Sequence, residues 1–289
     1  MNIFFARMKF APFYLLSLLP LQVLYLFSSA IFSLLYYVLK YRRNVVLENL
    51  QHAFPEKGEA ELLKIEKGFY QHFCDIFIES VKILTMSKQQ VKKRFKVKNA
   101  EVIQRFYEKG QSVIIYAAHL GNWEWMASLP LHIPHQFLSF YQKQRNQYFD
   151  QLMILIRERF DNICIESKAG YKTLVTYARN QELTLTCIIG DQCPAIKSAK
   201  HWTTFLNQET AFLIGADRLA KKCDQVLVYP RMTAVKRGYY ELEFIVMEVE
   251  NDTRSLIDRY AELLEENIMA QPTLWLWSHR RWKLKKQCC

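Results

Sequence analysis

From Phe10 to Leu39 the chain runs without a single charged residue. Phe13 to Leu39 is almost wholly apolar and aromatic, and about 20 such residues suffice to cross a bilayer as a helix. Arg7 and Lys9 precede the run, and Lys40, Arg42 and Arg43 follow it. A secretory signal would carry a shorter apolar core ending in small residues. The weak candidate for such an end, Ser28-Ser29-Ala30, is followed at once by Ile31-Phe32. The segment therefore reads as a retained anchor, in preference to a cleaved leader or a buried core helix. Pro12 and Pro20 place kinks in it, so spanning the bilayer and lying within one leaflet both stay open. The larger basic cluster downstream puts the rest of the chain on the cytoplasmic side. This divides the protein into an N-terminal membrane anchor, 1–43, and a body, 44–289.

The body must be globular, because 51% of the 289 residues are hydrophobic, which excludes a disordered chain. Lys and Arg total 39 against 28 Asp and Glu, a net charge of +11. Such a balance calls for an anionic partner: nucleic acid, an acidic lipid surface or an acidic protein. With an apolar anchor and no nucleic-acid motif, nucleic acid drops out. Lys88 to Lys98 holds six basic residues and no acid, either a solvated helix face or a patch for anionic headgroups or an acidic carrier. The seven cysteines are scattered, with no zinc-ligand spacing among Cys and His, so no metal site is expected. The pattern fits a reducing cytoplasm. Cys288-Cys289 is a weak lipidation signal.

Residues 60–84 carry a helical pattern through Leu62, Ile65, Phe69, Phe73, Ile76 and Val81. From residue 111 strand-like and helix-like segments alternate. Strands are predicted at 112–117, 136–141, 162–166, 183–189, 225–230 and 240–248. Helices are predicted at 122–129, 147–159, 170–180, 210–222 and 254–269. Alternation of this kind predicts an α/β fold: a single mixed, mostly parallel sheet flanked by helices. A hairpin around Lys236-Arg237-Gly238 adds antiparallel strands.

Within this pattern one block stands out, His119-Leu120-Gly121-Asn122-Trp123-Glu124. It follows directly on Val113-Ile114-Ile115-Tyr116-Ala117-Ala118, so His119 falls at the carboxyl end of a buried strand, where α/β sheets place their clefts. In one regular helix, residues five apart are rotated by roughly 140° and cannot share a face. His119 and Glu124 can cooperate only if the histidine precedes the helix and the glutamate lies in its first turn. Gly121 allows the turn between them and Asn122 is a candidate N-cap. In that arrangement the imidazole can take a proton from a hydroxyl while the carboxylate holds its tautomer.

Several ordered blocks resemble the bacterial lipid A biosynthesis acyltransferases, the late acyltransferases of the lysophospholipid acyltransferase superfamily. Arg42-Arg43-Asn44-Val45 through Asn49-Leu50 is similar to the family's R-x-N-V-x-x-N-L segment. His119 to Glu124 is similar to its H-x4-E motif, and Asp191-Gln192 to its DQ block, with Phe205-Leu206 and a helix from Thr210 after it. Trp277-Ser278-His279-Arg280-Arg281-Trp282-Lys283 is similar to its closing W-x-H-R-R-W/F-K.

The resemblance implies transfer of a fatty acyl chain from acyl carrier protein to a hydroxyl of a membrane-bound lipid A precursor at the cell inner membrane. It also implies that no cofactor, metal or covalent acyl-enzyme is involved. It implies His119 as base, Glu124 as its orienting partner, and Arg159 and Asp191 shaping the substrate site. Gln192, Asn122, Arg280 and Arg281 are further substrate-binding candidates, the two arginines toward acceptor phosphates. Trp275, Trp277 and Trp282 read as packing, and His279 as a packed or surface histidine. One departure bears on the acceptor: Tyr141-Gln142-Lys143 stands where many members have Tyr-Arg-Pro, with Arg145 a nearby substitute. Two alternatives therefore stand beside the lipid A reading. One keeps the chemistry with an aminoacyl lipid or another glycolipid as acceptor; the other is a non-catalytic protein binding acyl carrier protein or lipid.

Overall fold

A computed structural model of the chain describes residues 7–248 and 255–285. Seven strands form the main sheet: β1 (Phe95–Val97), β2 (Val113–Ala117), β3 (Gln136–Tyr141), β4 (Ile163–Glu166), β5 (Thr184–Ile189), β8 (Val226–Lys236) and β9 (Tyr239–Val246). Their order is β1-β9-β8-β2-β5-β3-β4. Every pairing is parallel except β8 with β9. This is the mixed, mostly parallel sheet that the alternation predicts. All five residues of β2 are buried, as expected of a strand covered by helices on both faces.

A second, two-stranded sheet pairs β6 (His201–Phe205) with β7 (Gln208–Phe212). It corrects the helix predicted over 210–222: Thr210 lies in β7, and the helix runs only from Gly215 to Cys223. The turn is Leu206-Asn207, both at positive φ (50° and 62°), the geometry of a two-residue hairpin loop. Leucine is a poor residue there. Its burial, and a hydrogen bond from its amide to Glu265 (2.7 Å), hold it in place.

The predicted helix at 122–129 is also altered. Trp123–Leu131 is a 3₁₀ helix containing Pro130, whose ring would strike the carbonyl of Met126 in an α-helix. Elsewhere the helices fall close to expectation: Glu59–Lys82, Gln147–Arg157, Gly170–Arg179 and Leu256–Ala270. The pair Cys288-Cys289 lies outside the described residues.

The apolar N-terminal run forms two helices, Ala11–Leu18 and Leu21–Ser33, broken at Pro20, and continues as a π-turn over Leu34–Val38. Leu21–Val38, with mean hydropathy 1.6, is long and apolar enough to cross a membrane. One face docks on the Glu59–Lys82 helix through Leu21, Leu24, Ser28 and Tyr36. Polar contacts reinforce that face: Ser28 donates to Asp75 (2.5 Å), Tyr25 to Glu79 (2.7 Å) and Tyr36 to Glu66 (2.9 Å). The other face leaves Leu15, Leu18, Leu26 and Val38 between 65% and 71% exposed.

Candidate active site

β2 and β5 are parallel neighbours in the register Ala117↔Ile189, and each strand ends there. Two residues further along each chain stand His119 and Asp191, so the register brings them to the same height on the carboxyl edge of the sheet. The Asp191 carboxylate meets His119 Nδ1 at 2.8 Å through Oδ1. Its Oδ2 accepts from the His119 backbone amide (2.9 Å) and from the Trp275 indole (2.8 Å). Asp191 is 3% exposed. Burial opposes its charge, but His119 and these donors outweigh burial and hold the carboxyl below its usual range. With Nδ1 engaged by a carboxylate, the proton of a neutral imidazole sits on Nδ1 and Nε2 is the free acceptor. The His119 side chain keeps 19% of its surface exposed. Gln192 Nε2 lies 3.5 Å from His119 Nε2, and the Trp123 ring stands edge-on to the imidazole at 5.2 Å.

The histidine turn is stitched to a distant segment of chain. Leu120 bridges Trp275 in an antiparallel pair, Gly121 donates to the Leu274 carbonyl (3.0 Å), and Leu276 donates to the His119 carbonyl (3.1 Å). Gly121 has φ +62°, the left-handed conformation expected of a turn glycine. His72, whose imidazole burial pushes down to about 4, contacts the Gly121 carbonyl at 3.2 Å. His279 is a packed histidine, as expected: its Nε2 accepts from the Cys193 amide (3.0 Å).

Glu124 occupies a different place from the one its sequence position suggests. The carboxylate against His119 Nδ1 is Asp191, and Glu124 is instead clasped by Arg157, Nε to Oε2 at 2.8 Å and Nη2 to Oε1 at 2.7 Å. The Trp123 indole adds a third donor at 3.2 Å. Burial opposes the Glu124 charge, but the Arg157 guanidinium outweighs it and keeps the carboxyl below its usual range. A bidentate fork of this kind fixes both groups in a plane.

The other candidates divide. Gln192 lies beside His119 on the carboxyl edge of the sheet. Asn122 does not cap the 3₁₀ helix; it is fully buried and donates to Glu79 (2.6 Å). Arg159 is exposed and donates to the Leu84 carbonyl (3.3 Å), whereas the arginine that clasps Glu124 is Arg157. Arg281 is 1% exposed, donates to the Ala211 carbonyl (2.6 Å) and lies 4.6 Å over the Phe212 ring. It braces the β6–β7 hairpin and does not face a phosphate outside, whereas Arg280 is on the surface. Arg145 and Gln142 are exposed.

Sequence reasoning missed Arg157, Glu79 and the Trp275 contact. Glu79 accepts from Tyr25, Asn122 and Tyr240 and is fully buried. Its signal was present: Glu66, Asp75 and Glu79 fall on the apolar stripe of the Glu59–Lys82 helix, where a charge must find partners.

Fold and site together define an α/β protein with a histidine–aspartate pair at the carboxyl edge of a mostly parallel sheet. The chain belongs to the bacterial lipid A biosynthesis acyltransferase family, whose pattern matches residues 3–284. Membership places it among acyltransferases, as the motif resemblance implies. No curated protein sequence matches it.

Proposed function

We propose that the protein is a membrane-associated O-acyltransferase of lipid A biosynthesis. It moves a fatty acyl chain from acyl carrier protein to a hydroxyl of a lipid A precursor at the inner face of the cell inner membrane. The single observation that carries the chemistry is the His119–Asp191 hydrogen bond at Nδ1, which leaves Nε2 at a partly open edge. There Nε2 takes the proton of the acceptor hydroxyl as its oxygen attacks the thioester carbonyl. Collapse of the tetrahedral intermediate expels the carrier's thiolate, which takes the proton back from the imidazolium. Asp191 keeps the tautomer and stabilises the imidazolium, the part the sequence assigned to Glu124. Glu124, locked on Arg157, contributes a fixed negative charge near the imidazole, and Gln192 contacts the reacting group. No cofactor takes part.

Support for the location is of two kinds. The exposed apolar face of the N-terminal helices suits the hydrocarbon boundary. The basic body suits both an acidic carrier and an anionic surface. The test is mass spectrometry of lipid A and total polar lipids from cells lacking the gene, complemented with wild type or His119→Ala. Loss of one acyl chain from lipid A, restored by wild type alone, is the expected result. An unchanged lipid A with a missing O-acylated aminolipid or other glycolipid would transfer the reading to that acceptor. Restoration by His119→Ala would overturn the mechanism.

A further inference from the structure

The β8–β9 hairpin carries a second candidate site, away from the histidine. β8 runs parallel to β2 in the register Ile115↔Val228, so its tip at Lys236 extends past the level of His119 on the same edge of the sheet. The overhang is four residues, roughly 13 Å at the usual strand rise. β1 joins β9 at the tip, Phe95 opposite Tyr240, which brings the basic stretch that begins at Lys88 beside the hairpin. Between them lies a cleft of about 270 Å³ lined by Lys93, Arg94, Lys96, Lys236 and Tyr239, among others. That is somewhat below the roughly 300–1,000 Å³ of pockets for drug-sized ligands, and suits a small headgroup.

The charges in this cleft are unevenly committed. Arg94 donates to the Gly238 carbonyl (3.2 Å) and lies 4.5 Å over the Tyr239 ring, and Arg237 is paired with Asp75. The lone acid of the wall, Glu241, is paired with Lys98. Lys93, Lys96 and Lys236 have no ion-pair partner among the described residues and are exposed. Lys236 Nζ lies 4.4 Å over the Tyr239 ring, a contact that leaves its charge without a counter-ion, so three ammonium groups with no carboxylate partner among the described residues surround one small cleft and favour an anion there.

Apolar neighbours decide what kind of anion. Val235, next to Lys236, is 61% exposed at the hairpin tip. The Leu21–Ser33 helix abuts the hairpin directly, with the Tyr25 hydroxyl filling the space that a side chain at Gly238 would need. That helix leaves Val23, Leu26 and Phe27 exposed on the side away from its packed face. A surface that sets apolar side chains next to lysines and a tyrosine has the layering of a membrane interface, in which the ammonium groups reach the phosphates.

We propose that this cleft binds the phosphate of an anionic phospholipid of the membrane, distinct from the acyl acceptor, and so fixes the depth and tilt of the catalytic edge. The inference rests on the membrane-associated reading. It is tested by native mass spectrometry of the delipidated full chain in detergent, titrated with phosphatidylglycerol and separately with phosphatidylcholine. Wild type binds phosphatidylglycerol in preference. The triple variant Lys93→Gln/Lys96→Gln/Lys236→Gln loses that preference by on the order of a hundredfold, at roughly fivefold per cationic side chain. A control triple of equal charge, Lys168→Gln/Lys172→Gln/Lys197→Gln, keeps it. Equal loss in both triples, or none in either, overturns the site while leaving membrane association standing. Equal binding of the two lipids by wild type does the same. A site triple that keeps its phosphatidylglycerol preference but no longer binds acyl carrier protein overturns the lipid assignment in favour of the carrier. Failure of wild type to bind either lipid overturns the site and the membrane reading together.

Discussion

Glu79 offers the sharpest test of the buried polar architecture. It is fully buried and accepts from Tyr25 (2.7 Å), Asn122 (2.6 Å) and Tyr240 (2.9 Å). Those donors favour the carboxylate, yet burial outweighs them and pushes the carboxyl up to about 7. The unfolded chain releases this proton near the ordinary value of 4.5, whereas the folded protein holds it to about 7. Between those limits the folded state binds more protons, so this group's contribution to stability falls as pH rises. At about 1.4 kcal/mol per pH unit the loss amounts to about 3 kcal/mol, complete just above pH 7. Glu79→Gln removes the titration and keeps a polar group. An amide at 79 can still accept from a tyrosine, and Asn122 Oδ1, which has no partner among the described residues, is positioned to accept from it after a rotation of the Asn122 amide. The expected result is a stability difference, variant minus wild type, that climbs by about 3 kcal/mol from pH 5 to pH 8 and then levels. Other titrations, such as the lowered His72 and His279, occur in both proteins and cancel. Thermal unfolding followed by tryptophan fluorescence in detergent reads this as on the order of 6 °C, at roughly 2 °C per kcal/mol for a chain of this size. A difference that stays constant from pH 5 to 8 would refute the buried-proton argument.

Two further outcomes follow from the cleft itself. Asp191→Asn replaces the acceptor at His119 Nδ1 with an amide that favours the wrong tautomer, so the acyl-transfer rate at saturating substrates falls by about 10³–10⁴ while the unfolding temperature changes little. Arg157→Met leaves the Glu124 carboxylate buried without its guanidinium, costing about 3–5 kcal/mol. The double variant with Glu124→Gln recovers much of that loss, and a melting series on the wild type, both single variants and the double variant measures the coupling.

Six of the seven strands of the main sheet were legible because they are apolar and β-branched between glycine and charged turns; Gln136–Tyr141 falls where the pattern puts it. β1 was not, because its three residues Phe95–Val97 lie inside the basic stretch Lys88–Lys98, which reads as a helix face or an anion patch. The β6–β7 hairpin was not, because its turn is Leu206-Asn207 and lacks the glycine that marks such loops. The histidine was legible from its position after a buried strand. Its partner was not. Glu124 is five residues away, and proximity in sequence made it the natural choice. Asp191 is 72 residues away and reaches His119 through the adjacency of β2 and β5, a property of strand order that no local pattern encodes. Arg157 and Arg159 differ by two positions on one turn of chain, enough to send one to Glu124 and the other to the surface.

The stitching of Leu274, Trp275 and Leu276 onto the His119 turn also sets an order of events during synthesis. β2 and β5 leave the ribosome long before residue 274, so His119 and Asp191 can be brought side by side while translation continues. At that stage Asp191 lacks its indole donor, and the carbonyl of His119 and the amide of Gly121 lack the partners that hold the turn. A nascent chain stopped anywhere ahead of Leu274 therefore lacks the contacts that hold His119 and Asp191 in the full chain. On the proposed mechanism, the last contacts that fix the base are supplied by the segment around Trp275, 84 residues downstream of Asp191.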